Sequence, residues 1–259
     1  MEQLLLVKIG GNVVEDEQLL RRFITSFAQL EGKKILIHGG GKMASKLAQD
    51  LGITPKMVEG RRITDEETLK IVTMVYAGLA NKKIVSLLQA EGCDAIGLSG
   101  ADANTIQTIK RPVRIIDYGF AGDITPTSVN GKRIHSLLQL GLCPIFSAIT
   151  HNGEGQLLNT NADTIASALA IGLSAFYDTS LIYCFEKKGV LAHVEDENSV
   201  ISTINLHSYQ QLKEDRIIAD GMIPKLDNAF DAIAKGVKQV IIKHADDLQI
   251  PTAGTVIME

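Results

Sequence analysis

The sequence predicts an α/β protein built on a mainly parallel β-sheet, and two observations lead to this fold class. Short apolar runs typical of buried strands alternate with segments of helical periodicity along the 259 residues. The first two strands are each followed by glycines, at 10–11 and 39–41, and then by a helix. This repeated order of strand, glycine turn and helix is expected of parallel strands joined by crossover helices.

The first predicted strand carries the residue that the rest of the site depends on. Residues 4–9 form an apolar run interrupted only by Lys8, and such a run is typical of a strand buried on both faces. A buried lysine must pair with an anion or lose its proton, so Lys8 is expected to point at a negative group. Gly10 and Gly11 would let backbone N–H groups come close to that group.

The other elements follow from apolar spacing and from helix start and stop residues. Gly32 and Gly52 are placed to end helices. Asn161 is expected to cap a helix, and Pro224 suits the first position of another. In chain order the sequence predicts helix 15–30, strand 33–38, helix 42–51, a hairpin over 56–63 at the sheet edge, helices 65–76 and 79–90, strand 94–98, a turn at 99–104, an antiparallel insert over 106–127, helix 128–140, strand 143–147, helix 164–173, strand 180–185, helices 206–212 and 224–235, and strands 240–242 and 255–257.

Composition narrows the class of function. The 26 basic and 30 acidic side chains give a formal net charge of -4 without a long run of either sign, so we expect no nucleic acid and no membrane as partner. A small-molecule substrate is expected instead. The three cysteines occur singly in apolar segments, which indicates free thiols in a reducing compartment. With no signal peptide and no apolar run near roughly 20 residues, we expect a cytoplasmic protein.

Two further charged residues lie at predicted helix starts. Lys225 is in a first helical turn, where a cation opposes the helix dipole at a cost of roughly a few tenths of a kcal/mol. An anion bound at the same place would remove that cost. Asp163 holds the equivalent position on its own helix, where an acid is favoured in any case. Lys8, Lys225 and Asp163 together predict an anion site in which the aspartate holds the lysines.

Two motifs typical of other functions occur in part, and a third is absent. Residues 39–44 fit the dinucleotide fingerprint G-x-G-x-x-G/A, but no acid ends a clear following strand at the expected distance. The phosphate-binding loop GxxxxGK[ST] is absent, since Leu36 replaces its first glycine and Met43 follows its lysine. Residues 97–101 are one residue short of a nucleophile elbow, and no histidine is placed by sequence to serve Ser99. We therefore interpret this last motif as a substrate-binding turn.

Six motifs taken together resemble the amino acid kinase family, and within it the N-acetylglutamate kinases. In chain order they are Lys8-Ile9-Gly10-Gly11, His38-Gly39-Gly40-Gly41, Gly60-Arg61-Arg62-Ile63-Thr64, Gly97-Leu98-Ser99-Gly100, Asn159-Thr160-Asn161-Ala162-Asp163, and Asp220-Gly221-Met222 followed by Lys225. The resemblance covers nearly the whole chain. It implies a three-layer αβα sandwich with an N-terminal lobe, about 1–150, for the acylated amino acid and dimerisation, and a C-terminal lobe, about 151–259, for ATP.

The resemblance also implies an activity and a role for each motif residue. The activity is ATP-dependent phosphorylation of the γ-carboxylate of N-acetyl-L-glutamate, or of a related N-acylglutamate, in arginine biosynthesis. Lys8 and Lys225 would neutralise the transferred phosphoryl group, with Asp163 orienting both. The other implied contacts are Gly40, Gly41, Arg62 and Asn159 with the substrate, Arg62 clamping its α-carboxylate, and Gly10, Gly11, Asn161 and Gly189 with the phosphates or the nucleotide. Mg²⁺ would be carried by ATP, and no residue of the chain is implied as a metal ligand.

One segment departs from the family pattern. Where the family has a Ser/Thr-Asp pair bordering the nucleotide, this chain has Phe185-Glu186-Lys187-Lys188. Two alternatives therefore stay open. The chain could be another family member, such as a carbamate kinase or glutamate 5-kinase, although Gly60-Arg61-Arg62-Ile63-Thr64 argues against this. It could also be an inactive binding or regulatory relative, although both lysines and Asp163 are present.

The resemblance finally bears on assembly. Arginine-inhibited family members carry an extra N-terminal helix and form hexameric rings, whereas insensitive members lack it and form homodimers. Only three residues precede the first strand here, fewer than the roughly 12 that a marginal helix needs. We therefore expect a homodimer that is insensitive to arginine, with helices 66–76 and 79–90 at the contact.

The acyl group of the substrate stays open. Acetyl is the default from the resemblance. A succinyl group would add a carboxylate to the α- and γ-carboxylates of the glutamate and would require one more cation. Lys110, Arg111 and Arg114, in the insert over 106–127, are available for this.

Overall fold

The computed structural model describes residues 1–58, 60–193, 195–215, 217–218 and 222–259, with only the backbone of residue 224. The Asp220-Gly221 pair of the sixth motif therefore lies outside the described residues. Within them the strands are β1 (Gln3–Ile9), β2 (Lys33–His38), β3 (Met57–Val58), β4 (Arg61–Arg62), β5 (Ala95–Leu98), β6 (Ile109–Lys110), β7 (Gly122–Asp123), β8 (Cys143–Ser147), β9 (Ile149–His151), β10 (Leu157–Asn159), β11 (Asp178–Phe185), β12 (Thr203–Ile204), β13 (Gln239–His244) and β14 (Thr255–Ile257).

The α-helices connect these strands in the order that the sequence predicts. They are α1 (Gly11–Glu15), α2 (Glu17–Ala28), α3 (Gly41–Asp50), α4 (Glu66–Thr73), α5 (Asn81–Ala90), α6 (Gly131–Gln139), α7 (Ala162–Leu173), α8 (Leu206–Glu214) and α9 (Ile223–Ala234). A π-helical segment, Met74–Ala80, joins α4 to α5 without a break.

Eight strands form one sheet, and this confirms the predicted mainly parallel α/β fold. Their order is β12-β14-β13-β11-β1-β2-β8-β5. Every neighbouring pair is parallel except β13 and β14, which run antiparallel near one edge. The first strand lies in the middle of the sheet between β11 and β2. The carboxyl ends of these strands share one edge, where α/β proteins usually bind their ligands.

Two apolar cores cover the two faces of the sheet, which gives three layers. Alternate residues of β1 face opposite cores, so that Leu4 and Leu6 pack on one face while Val7 and Ile9 pack on the other. The first core contains residues from α3, α4, α6, α7, α8 and α9. The second contains residues from α1, α2 and α5. By this alternation Lys8 belongs to the first face, on which α7 lies.

The helix predicted over 15–30 is confirmed as α2, with the narrower bounds Glu17–Ala28. A short helix begins at Gly11, and the longer α2 begins only after Asp16. The side chain of Asp16 accepts a hydrogen bond from the backbone N–H of Leu19 at 2.9 Å, which caps the second helix. The short helix α1 was not predicted, because Gly10 and Gly11 were interpreted as a turn between the strand and the longer helix.

The two helices predicted over 65–76 and 79–90 are one continuous helix, so that prediction was wrong. Gly78 does not end it. Val75 packs in the first core and Ala80 in the second, and these contacts outweigh the roughly 1 kcal/mol that glycine costs inside a helix. Glu66–Ala90 is also the one helix among the described residues that is long and apolar enough to cross a membrane, although much of its apolar surface is buried against these cores.

Small hairpins lie beside the main sheet. β3 and β4 confirm the hairpin around Gly60, and β6 pairs antiparallel with β7 as the insert predicted. The hairpin of β9 and β10 was not predicted. Its strands are only three residues long, too short to show a clear alternation in the sequence. It carries Asn159 to the same edge of the sheet as Lys8.

Candidate functional site

Lys8 lies at the carboxyl end of β1 with its ammonium group directed at Asp163. Nζ of Lys8 is 2.7 Å from Oδ1 of Asp163, and the lysine side chain is 10% exposed. Asp163 is the second residue of α7. The strand therefore supplies the buried cation and the helix start supplies the anion, as the sequence predicts.

The start of α7 is fixed by the predicted cap. The backbone N–H of Thr164 donates to Oδ1 of Asn161 at 3.0 Å. This bond satisfies one of the free N–H groups of the first turn. It also orients the helix start, and with it the carboxylate of Asp163.

Lys225 reaches the same place from another helix. It is the third residue of α9, and its Nζ lies 3.6 Å from the ring centroid of Phe185. Nζ of Lys8 is 5.2 Å from the same centroid. Burial lowers the pKa of Lys225 below its usual value, whereas the carboxylate of Asp163 raises it and the charge of Lys8 lowers it again. The two predicted lysines and the aspartate thus come together around one aromatic ring.

These residues line an open hollow of about 620 Å³, which we call the lysine cleft. Its lining residues are Lys8, Ile9, Gly10, Gly11, Asn12, Gly39, Gly40, Gly41, Lys42, Ser45, Lys46, Gln49, Met57, Arg62, Ala162, Asp163, Phe185, Glu186 and Lys225. Four lysines in this lining give the cleft the charge needed to hold an anion with several negative groups.

The two glycines after β1 differ in what their backbones can offer. The N–H of Gly10 donates to the carbonyl of Cys184 at 3.2 Å, so it is already used by the sheet. Gly11 opens α1, where first-turn N–H groups have no partner within the helix. The geometry therefore favours Gly11 over Gly10 as an N–H donor to a bound anion.

A second hollow of about 220 Å³ adjoins the lysine cleft, and we call it the arginine cavity. Its lining residues are Gly39, Gly40, Gly41, Met57, Gly60, Arg61, Arg62, Tyr76, Arg111, Tyr118, Ala121, Gly122, Ala148, Asn159, Thr160, Asn161 and Ala162. The glycines 39–41 and Arg62 belong to both linings, so the two hollows form one continuous site.

Arg62 is held in the arginine cavity by hydrogen bonds to α3. Its Nη2 donates to the carbonyl of Gly41 at 2.8 Å and to Oγ of Ser45 at 2.7 Å. Across the cavity, Nδ2 of Asn159 donates to Oγ1 of Thr64 at 3.0 Å. These bonds orient a guanidinium and an amide before any ligand arrives.

Arg111 also lines this cavity, and the sequence named it, with Lys110 and Arg114, only as a cation available for the carboxylate of a succinyl group. Its Nε and Nη2 both donate to Oδ1 of Asp123, at 2.9 and 2.6 Å. The guanidinium lies 5.0 Å from the ring centroid of Tyr118. Arg111 therefore brings charge to the cavity wall from a fixed position.

Glycines 40 and 41 leave room for a tyrosine. A Cβ atom at Gly40 would lie 3.0 Å from Cδ1 of Tyr76, closer than packed carbon atoms normally approach. At Gly41 a Cβ would be 3.8 Å from the hydroxyl of the same tyrosine. The predicted glycines are thus placed in the site, and Tyr76, which the sequence did not single out, forms the wall behind them.

His38 supports this glycine wall from the end of β2. Its Nδ1 lies 2.8 Å from the carbonyl of Gly39, and its Nε2 lies 3.0 Å from Nδ2 of Asn81. A neutral ring with its proton on Nδ1 donates to the first group and accepts from the second. Complete burial lowers the pKa of His38 from 6.5 to about 4, which keeps the ring neutral.

The structure does not bring Gly189 to either hollow. It is buried under the sheet edge, where an added Cβ would lie 2.8 Å from Oγ1 of Thr255 and 2.8 Å from Cγ1 of Val200. Close packing against β14 is a sufficient reason for glycine there. Its predicted contact with the nucleotide is not supported by this placement.

No group of three or more His, Cys, Asp or Glu side chains that could hold a metal ion occurs in the described part of the chain. The cations of the lysine cleft instead suit a ligand that brings its own negative charge.

Sequence comparison gives a consistent picture. The family model described as "Amino acid kinase family" matches residues 3–244. The chain is 52% identical over 249 residues to the acetylglutamate kinase of Cytophaga hutchinsonii, an alignment covering 96% of this chain and 94% of that protein. It is 50% identical over 256 residues to the acetylglutamate kinase of Phocaeicola vulgatus, covering 99% and 98% of the two chains.

Structural comparison finds the same fold in more distant proteins. N-acetylglutamate synthase from Neisseria gonorrhoeae, complexed with coenzyme A and N-acetyl-glutamate, aligns with a TM-score of 0.81 at 22% identity, covering 99% of this chain and 59% of that chain. Giardia carbamate kinase aligns with a TM-score of 0.68 at 15% identity, covering 99% of each chain. At such identities the likeness concerns the fold alone.

Proposed function

The chain belongs to the amino acid kinase family, and from this premise we propose that it transfers the γ-phosphoryl group of ATP to the γ-carboxylate of N-acetyl-L-glutamate, in arginine biosynthesis. The single observation that carries the proposal is the meeting of the lysine cleft and the arginine cavity along glycines 39–41. One hollow suits a polyphosphate and the other suits a small carboxylate, so their junction is where a phosphoryl group would pass.

The chemistry asks for positioning and charge stabilisation. A carboxylate nucleophile is already ionised at neutral pH, so no general base is needed. Lys8 and Lys225 would lie against the oxygens of the transferring group, where negative charge is spread over several atoms. Asp163 would hold Lys8 in place through their 2.7 Å ion pair.

The arginine cavity would select and hold the acylated amino acid. A guanidinium binds a carboxylate through two parallel hydrogen bonds, and Arg62 is already oriented toward the cavity. Asn159 would help hold the same end of the substrate. The backbone of Gly40 and Gly41 would then approach the substrate closely, because no side chain stands between.

ATP would occupy the lysine cleft, with Gly11 and Asn161 near its phosphates. Mg²⁺ would arrive on the phosphate oxygens of ATP, as it commonly does in kinases, and would neutralise part of their charge.

A trap for acyl phosphates tests this proposal directly. The protein is incubated with ATP, Mg²⁺ and N-acetyl-L-glutamate in the presence of hydroxylamine, and the hydroxamate is measured. Carbamate and free glutamate replace the acylglutamate in parallel reactions. A signal only with carbamate or glutamate would favour another kinase of the family, and no signal with any N-acylglutamate would favour an inactive relative.

The cavity also supports a second substrate, an N-succinylglutamate. Three guanidinium side chains line it, and Arg111 is already paired with Asp123, so Arg61 and Arg62 leave one positive charge more than an α-carboxylate needs. Comparing kcat/KM for acetylglutamate and succinylglutamate decides between the two. A preference for the succinyl compound that is lost in Arg111→Ala would assign the extra carboxylate to that guanidinium.

Assembly, lobe roles and location complete the proposal. We propose a homodimer formed through the helix Glu66–Ala90, on which Met74 and Leu79 are more than half exposed. The N-terminal lobe would bind the amino acid and the C-terminal lobe ATP. The three free cysteines are all buried, which suits a reducing cytoplasm.

Light scattering of the wild type and of Leu79→Glu tests the dimer, and a rate measured in millimolar arginine tests the expected insensitivity of the enzyme to arginine.

A further inference from the structure

Phe185 faces both lysines of the cleft. Its ring centroid lies 3.6 Å from Nζ of Lys225 and 5.2 Å from Nζ of Lys8. Both distances fall within the roughly 6 Å over which an aromatic ring attracts a cation. One ring therefore acts on two ammonium groups that come from different elements, β1 and α9.

The sheet register places this ring. β11 runs parallel to β1, and Lys8 pairs with Tyr183, so Phe185 stands two residues nearer the carboxyl edge on the same face. The rings of Tyr183 and Phe185 are stacked, with centroids 6.0 Å apart and planes at 12°. The ring also lies close to Gly10, where an added Cβ would be 3.9 Å from Cδ1. Phe185 is thus packed near both Tyr183 and Gly10.

An aromatic ring holds a lysine differently from a carboxylate. Its negative face attracts the ammonium group, yet it adds no net charge and leaves the N–H donors free for a ligand. Lys8 already has Asp163 as its ion partner. Glu186 also lines the cleft, and its charge, like that of Asp163, favours the charged form of Lys225. The ring adds a further attraction without reducing the positive charge that a phosphoryl group needs.

We propose that Phe185 is a positioning residue for the kinase reaction, holding the ammonium group of Lys225 above all, and that of Lys8, charged and directed at the transferring phosphoryl group. This inference rests on the proposed function. It gives a role to Phe185 within the segment Phe185-Glu186-Lys187-Lys188, which departs from the family pattern.

The kinetics of two variants distinguish the effect of the aromatic ring from the effect of side-chain volume. Phe185→Leu keeps an apolar side chain but removes the ring, and we expect kcat to fall roughly tenfold, which corresponds to about 1.4 kcal/mol, with both KM values changed less than about threefold. Phe185→Tyr keeps the ring and should retain kcat within about threefold. A role in packing alone would not produce this split between kcat and KM.

The pH profile gives a second readout. Lys225 must be charged to act, so kcat falls as pH rises through its pKa. Burial lowers that pKa and the charge of Lys8 lowers it further, whereas the carboxylates of Asp163 and Glu186 raise it. The ring also favours the charged form, and it is the contribution that Phe185→Leu removes. Phe185→Leu should therefore move the basic limb of kcat to lower pH by roughly half a unit or more, while Phe185→Tyr leaves it in place.

A third measurement does not depend on catalysis. Competitive acetylation of the free protein with acetic anhydride across a pH series, followed by mass spectrometry, reports when the amine of Lys225 becomes neutral. The Phe185→Leu protein should be acetylated at Lys225 at lower pH than wild type. If wild type shows no kinase activity but this shift is present, the proposed function fails while the placement of Lys225 by the ring stands.

Phe27→Leu is the matched control. Its ring lies 5.4 Å from Nζ of Lys34 in the second core, away from the cleft. The same substitution there should lower the melting temperature without moving the basic limb. The inference is overturned if Phe185→Leu leaves kcat and the limb unchanged, if Phe185→Tyr loses as much as Phe185→Leu, or if kcat falls with no shift in the limb or in acetylation.

Discussion

The arginine cavity and the lysine cleft adjoin, yet they hold their cations in different ways. In the cavity the guanidinium of Arg62 is fixed by oxygen atoms of Gly41 and Ser45, and that of Arg111 by a carboxylate. In the cleft Lys8 is paired with the carboxylate of Asp163, whereas the ammonium group of Lys225 lies on the ring of Phe185. Hydrogen bonds fix direction, whereas a ring leaves the ammonium hydrogens free.

This difference matches two tasks in catalysis. A group that recognises the ground state gains from a fixed direction, because the substrate carboxylate arrives fully charged. A group that stabilises developing charge must keep its donors for the transition state. We therefore expect variants of the cleft to lower kcat and variants of the cavity to raise KM, and each experiment below can break or sharpen that division.

The largest effect is expected for Lys225→Ala. Loss of one charge at the phosphoryl group should lower kcat by roughly 10²–10³, comparable to removing one oxyanion donor, with the KM for acetylglutamate little changed. Lys235→Ala, at the other end of α9 and paired with the exposed Asp231, serves as control. A large rise in KM at unchanged kcat would show that Lys225 binds the ground state of the substrate and does not stabilise the transition state.

Asp163→Asn should have the next largest effect. The change leaves the ammonium of Lys8 without its counter-charge while keeping the size of the side chain, so we expect kcat to fall roughly 10- to 100-fold. Urea unfolding measures how much stability is lost at the same time. Unchanged kcat would show that the ring alone suffices to hold Lys8.

Arg62→Ala tests the cavity. Charged hydrogen bonds to a carboxylate are worth about 1.5–3 kcal/mol, so the KM for acetylglutamate should rise roughly 10- to 100-fold with a smaller change in kcat. Arg62→Lys keeps the charge but loses the planar fork, so its KM should fall between those of wild type and Arg62→Ala. If KM did not change, the carboxylate clamp would be wrongly assigned.

Gly40→Ala probes the wall shared by both regions. The added methyl group would press on Tyr76, so we expect a few-fold rise in KM and a loss of stability of about 1–3 kcal/mol. Gly78→Ala is the control, because beyond the backbone of its own helix and its two chain neighbours no atom lies within 4 Å of its added Cβ. A rise confined to KM would show that the wall serves substrate binding in the arginine cavity. A fall in kcat of similar size would show that it also serves the reaction in the lysine cleft.

Substitution of His38 should have the smallest effect on activity and a clear effect on the pH dependence of stability. Its pKa is lowered in the folded state to about 4, so the unfolded chain binds the proton first as pH falls below 6.5. Its contribution is present above pH 6.5 and is lost progressively toward pH 4, by about 3 kcal/mol. Urea unfolding of wild type and His38→Asn between these pH values should show a flatter dependence in the variant.

Much of this site could be predicted because it depends on local chemistry. A lysine in an apolar strand, an Asn cap and an aspartate at a helix start each have a physical signature in the sequence. The first core and the ion pair between Lys8 and Asp163 then follow from strand alternation and from α7 lying on that face.

The remainder depends on distances that no short motif encodes. The role of Phe185 follows from the register between β1 and β11, and that of Tyr76 from the path of a long helix. The nucleotide contact of Gly189 comes from the resemblance alone and stays a prediction, and the structure shows this glycine packed closely against Thr255 and Val200. Gly10 was grouped with Gly11, although the sheet already uses its N–H.

The π-helical segment Met74–Ala80 sets the phase of the helix that contains it. Each residue in an α-helix turns by about 100°, so one residue more or less rotates everything beyond it by that angle. With the segment in place, Tyr76 meets Gly40 on one side and Asn81 meets His38 on the other. Deleting Gly78 would rotate the part of the helix beyond it by about 100° relative to the part before it. The helix could then keep the contact of Tyr76 with Gly40 or that of Asn81 with His38, but not both.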